Sequence, residues 1–107
     1  MSVEDVSVID LIGVDSRWGN VVLTISDRLE WDEGEHVLQL QHKLNAYLTF
    51  IESGELVERY PNAKGRTAQI VVVFKHVPDA LGETFLSRAT TLTHDAGVVL
   101  TYEVLSD

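Results

Sequence analysis

Residues 21–54, VVLTISDRLEWDEGEHVLQLQHKLNAYLTFIESG, hold a strand, an acidic connection and a long amphipathic helix in that order. Such an order commits the chain to the first parallel crossover of a small α/β sheet. Val21, Leu23 and Ile25 alternate with Val22, Thr24 and Ser26, the period-two pattern of a strand with one drier face. Asp32 is placed as an N-cap, and Glu35 three residues later completes a capping box. Its carboxylates satisfy amides at the helix start and sit at the positive end of the dipole. Val37, Leu40, Leu44, Tyr47, Leu48 and Ile51 then recur at helical spacing on one stripe, and Ser53-Gly54 supplies the stop. The helix is expected over residues 33–53.

Val6, Val8, Leu11, Ile12 and Val14 form a β-rich first segment, and the turn formers of residues 15–20 return it as a hairpin into the strand at Val21. After Gly54 the chain becomes polar, and Tyr60-Pro61 and Lys64-Gly65 read residues 55–66 as the longest loop. Residues 68–77 are an almost unbroken β-branched run, expected to be a central strand with Ile70, Val72 and Phe74 on one side and Val71 and Val73 on the other. Asp79 caps a second helix over residues 79–96, whose stripe is Leu81, Phe85, Ala89, Leu92 and Ala96, and Gly97 closes it. Val98, Leu100, Tyr102 and Val104 alternate with Val99, Thr101 and Glu103 in a last strand.

The order β-β-α-β-α-β predicts an α+β, α/β-like two-layer sandwich occupying residues 1–107 as one domain, a four-stranded mixed sheet with two helices on one face. Right-handed crossovers covered on the same side give strand order 1-2-3-4 with the first strand antiparallel; the alternative puts the first strand between its partner and the third. In either arrangement the helices cover Leu23, Ile25, Ile70, Val72, Phe74, Leu100 and Tyr102, and Phe74 and Leu44 are expected deep in the core. The other face shows Val22, Thr24, Ser26, Gln69, Val71, Val73, Lys75, Val99, Thr101 and Glu103, half apolar and half polar.

A chain of 107 residues with 45% hydrophobic composition can bury a core without metal or disulfide support. It contains no cysteine, which excludes thiol catalysis and thiolate metal sites. The opening MSVEDVSVID lacks a basic residue and a signal-peptide apolar run, and no later segment reaches the length of a membrane span, so a cytoplasmic location is expected. Seventeen acidic against eight basic residues give a net charge of −9, which repels phosphate backbones and anionic lipid. Neither nucleic acid nor membrane is an expected partner.

The runs Val22-Leu23-Thr24-Ile25-Ser26-Asp27, Leu29-Glu30-Trp31, Lys43-Leu44-Asn45-Ala46-Tyr47-Leu48, Phe50-Ile51-Glu52-Ser53-Gly54-Glu55 and Tyr60-Pro61 with the Lys64-Gly65 loop resemble a family of small bacterial proteins of unknown function. The resemblance covers most of the chain and is weaker in the second helix. It supports the fold and implies no activity, catalytic residue or cofactor.

Asp27, Glu30, Asp32, Glu33 and Glu35 cluster around Trp31 where a strand ends and a helix begins, a place where open α/β sheets often bind ligands. Capping and solvation are the ordinary reading of first-turn acids, and no calcium-loop spacing is present. His36 and His42, six residues apart, are set about 240° apart around a helix axis and form no joint metal site; both are expected on exposed helix surface. His36 with Glu35 is a second, acid/base reading. His76 ends a strand and His94 falls late in a helix. The basic run Lys64-Gly65-Arg66 reads as a solvated loop, with anion binding as the alternative. No nucleophile elbow or phosphate-binding glycine loop is present, and no cofactor or metal is implied.

Trp18 and Trp31 fall outside the apolar stripes and suit either interface anchors on one surface or structural roles, Trp18 over the hairpin and Trp31 as a staple touching His36 or its neighbours. Three functions follow. The first is a non-enzymatic interaction protein, a homodimer using the uncovered sheet face at Val71 and Val73 or an edge strand. The second is an acidic inhibitor or immunity-type protein presenting the Asp27 to Glu35 surface, with Asp27, Glu30, Glu33 and the anchor Trp31, to a basic partner. The third, a small hydrolase or isomerase using Asp27, His36 or His76, rests only on the position of these residues near strand ends.

Overall fold

A computed structural model describes residues 11–28, 30–31 and 35–105. The elements run β1 (Leu11–Val14), β2 (Val21–Asp27), α1 (Glu35–Glu52), α2 (Glu55–Arg59), a 3-10 turn (Pro61–Ala63), β3 (Ala68–Phe74), α3 (Ala80–Asp95) and β4 (Val98–Val104). The sheet has the order β1-β2-β3-β4, with β1 antiparallel to β2 and the other two pairings parallel. This is the simpler of the two expected topologies. The expected strand residues Val6 and Val8, the cap Asp32 and the site residue Glu33 lie outside the described residues.

Side-chain parity decides the layers. Val21, Leu23 and Ile25 of β2, Ile70, Val72 and Phe74 of β3, and Val98 and Leu100 of β4 are buried against the helices. In-register pairing lines up Leu23, Ile70 and Leu100, so the apolar rows run across the strands into one core with Leu40, Leu44 and Tyr47 of α1 and Leu86 and Ala89 of α3. Phe74 and Leu44 are both in it. The exception is Tyr102, expected under the helices but 45% exposed on the edge strand β4, where its ring meets Phe74 in a T-shaped contact.

The polar stretch after Gly54 is not all loop. Gly54, at φ 86°, reverses the chain in a conformation that suits glycine. Ser53 Oγ accepts from the Glu55 amide at 3.3 Å, and α2 follows with Leu56 buried and an exposed Arg59–Glu55 pair. A five-residue helix with one buried side chain leaves no periodicity to read in sequence.

In α3, Asp79 does cap the helix, accepting from the Gly82 amide at 2.8 Å. The buried face is Gly82, Leu86, Ala89 and Thr93; of the stripe that the apolar pattern predicts, Leu81, Phe85, Ala89, Leu92 and Ala96, only Ala89 belongs to it. The helix is turned by roughly 70° from that pattern. Leu81 is 51% and Leu92 68% exposed, and Ala96 is exposed. Gly82 explains the rotation, because a Cβ built there would lie 2.5 Å from the Trp31 ring, so only glycine lets α3 approach so closely. The displaced stripe faces α1 across a groove of about 300 Å³, lined in part by Leu44, Leu48, Phe85 and Leu92.

Candidate functional site

The carboxyl end of β2 concentrates the polar groups of the interior. Asp27 follows Val21, Leu23 and Ile25 in strand parity, so its carboxylate points into the helix layer. His36 opens the buried stripe of α1, four residues before Leu40. The two meet at 2.5 Å between His36 Nε2 and Asp27 Oδ2, and each is 1% exposed. His36 Nδ1 lies 3.1 Å from the main-chain oxygen of Glu30. A carbonyl only accepts, so Nδ1 donates there, and Nε2 is left to bond the Asp27 carboxyl group.

Trp31 closes the pair from above. Its ring stacks on His36 with centroids 3.8 Å apart, leans on Phe74 at 5.4 Å, and donates from Nε1 to the His76 oxygen at 3.1 Å. With Gly82 against its six-membered ring, Trp31 joins the β2–α1 connection to the β3–α3 connection. The expected contact of Trp31 with His36 is present. Two and three turns beyond His36 along α1, Lys43 is fully buried with Nζ 5.4 Å from the Tyr47 ring centre, and Tyr47 donates to the Thr24 oxygen at 3.1 Å.

These positions correct several expectations. His36 is not an exposed helix residue and its acid is Asp27, not Glu35, which is exposed. Asp27 is withdrawn from the acidic surface it was expected to present, while Glu30 remains exposed. Trp31 spends its ring on intramolecular contacts. Trp18 is 73% exposed in the β1–β2 turn, so it does not pack over the hairpin. It lies at the other end of β2, about 20 Å from Trp31 along a strand of this length. The two tryptophans mark no common surface. Val71 and Val73 are half-buried on the sheet face away from the helices, a third location.

Arg66 is no free anion site, since it donates to Asn62 O at 2.8 Å and to Gly19 O at 3.0 Å and so fastens its loop to the hairpin. His42 and His94 are exposed, and among the described residues no group of three His, Asp or Glu comes together to hold a metal. Among them too, no helix is long and apolar enough to cross a membrane.

Chemically, Asp27 and His36 are the elements of an acid/base pair, but Trp31 and the core enclose them. A general base must come within hydrogen-bond reach of a substrate proton. The enclosed geometry instead suits a structural lock, in which each buried polar group is satisfied by another. The sequence does contain a signal for the pair: Asp27 holds the buried parity of β2, and His36 precedes Leu40, Lys43, Leu44 and Tyr47 on one helical face.

A family described as a family of unknown function (DUF6572) matches residues 1–106, and the chain belongs to it. No curated protein and no solved structure matches the chain.

Proposed function

We propose that the chain is a non-enzymatic protein-interaction module that works as a homodimer and makes its contact through the β-sheet, at its uncovered face or at an edge strand. The observation that carries this reading is the face away from the helices. Register places Val22 beside Gln69 and Val99, Thr24 beside Val71 and Thr101, and Ser26 beside Val73 and Glu103. Among the described residues α1, α2 and α3 all send their buried side chains to the opposite face. A sheet face that meets only water seldom carries four valines. Enclosure of Asp27 and His36 favours binding over catalysis, and burial of Asp27 weakens the alternative of an acidic surface for a basic partner.

Sedimentation velocity up to high micromolar concentration tests the reading. One species of twice the chain mass is expected. A single monomeric species across that range overturns it.

A further inference from the structure

The two edges of the sheet differ. Among the described residues β1 spans four positions and contains Gly13, whereas β4 has seven residues, no proline, glycine or lysine, and one charge, Glu103. Natural sheets blunt an edge by making it short, charged, bulged or proline-bearing, because unpaired main-chain groups are a template for another strand. Among the described residues β1 spans Leu11–Val14, and β4, described over its whole length, carries little of this protection.

The hydrogen-bond phase of β4 is fixed by one contact. Leu105 donates its amide to Phe74 O at 2.8 Å, and Phe74 is in register with Val104. In a parallel ladder main-chain groups alternate in direction, so Val99, Thr101 and Glu103 turn theirs toward β3. Val98, Leu100, Tyr102 and Val104 turn N–H and C=O outward, where no described strand takes them up.

We propose that β4 pairs antiparallel with β4 of a second copy, with Thr101 on the two-fold axis; the inference rests on the homodimeric reading above and names the surface. A two-fold pairing centred on Thr101 sets Leu100 opposite Tyr102 and Val98 opposite Val104, all outward-bonding positions, and uses every residue of the strand. Centring on Leu100 or Tyr102 shortens the overlap. The same register places Glu103 opposite Val99, so the one charge of the strand does not meet its own copy. Half-exposed Tyr102 gains Leu100 as a cross-strand neighbour. Two four-stranded sheets become one continuous sheet, and their valine-bearing faces merge into a single larger surface.

The absence of cysteine makes the register testable. At a non-hydrogen-bonded pair on the axis the Cα atoms are about 4.5 Å apart, within disulfide range. Thr101→Cys is expected to oxidise to a covalent dimer seen on a non-reducing gel. Glu103→Cys, whose two copies would be roughly 13 Å apart at the rise of a strand, is expected to stay uncrosslinked. Tyr102→Pro removes an outward amide and leaves the bonds to β3, so it should sediment as a folded monomer, while Val71→Glu should remain dimeric. A monomeric parent overturns both the homodimeric reading and the edge pairing. A dimeric parent in which Thr101→Cys fails to crosslink, or crosslinks no better than Glu103→Cys, overturns the edge pairing alone, as does a dimer lost on Val71→Glu. The crosslinking result stands even if Tyr102→Pro fails to fold.

Discussion

The end of β2 and the flank formed by α3 and β4 are built to opposite rules. At the first, Asp27, His36 and Lys43 are buried among Trp31, Phe74 and Tyr47. Along the second, Leu81, Leu92, Tyr102 and Leu105 stand substantially exposed. Burial at the β2 end follows strand parity and pairing: a carboxyl group and an imidazole enter the core because each satisfies the other. Exposure at the flank follows from the close seat of Gly82 on Trp31, which turns α3 away from its own apolar stripe, and from the position of β4 at the sheet edge. Polar groups inside mark how the chain holds itself together, and of the apolar groups left outside Tyr102 belongs to the strand of the proposed pairing.

The largest expected effect would break the first half of this contrast. Asp27→Ala strands a buried imidazole and should cost about 3–5 kcal/mol in urea unfolding. Asp27→Asn should cost less, about 1–2 kcal/mol, because the introduced carboxamide can still donate to Nε2 while Nδ1 bonds Glu30. Equal midpoints for Asp27→Ala and the parent would mean that the pair contributes nothing to the fold.

Next in size is the hinge between the two regions. Gly82→Ala adds a methyl that meets the Trp31 ring. It should destabilise by about 1–3 kcal/mol through overpacking, against the roughly 1 kcal/mol gained from helix propensity, and should change the near-ultraviolet dichroism of Trp31. A stabilised variant with an unchanged spectrum would remove the explanation given for the rotation of α3.

The smallest effect sharpens the second half. Leu92→Ser, on the exposed stripe, should shift stability by no more than about 0.5 kcal/mol. A loss comparable to that of a core leucine would show that the groove between α1 and α3 closes in solution.

The elements that were legible in sequence share a physical basis. Alternation in β2 and the β-branched run of β3 identify strands, Asp79 marks a helix start, and crossover handedness then orders the sheet. What was not legible depended on relations between elements. Hydropathy ranks Asp27 and His36 as surface residues because it weighs residue type and not position on a face. The apolar stripe of α3 predicts the wrong buried side because nothing local reveals that Gly82 admits a tryptophan from another connection. The Trp31–His36 contact was legible because a staple is a local spacing.

The most direct test of an interaction surface on the sheet is amide exchange by NMR at low and high protein concentration. Amides of Leu100, Tyr102 and Val104 should exchange rapidly when dilute and become protected when concentrated, while those of Val99, Thr101 and Glu103, bonded to β3, stay protected throughout. Fast exchange of the outward set at every concentration would contradict the account.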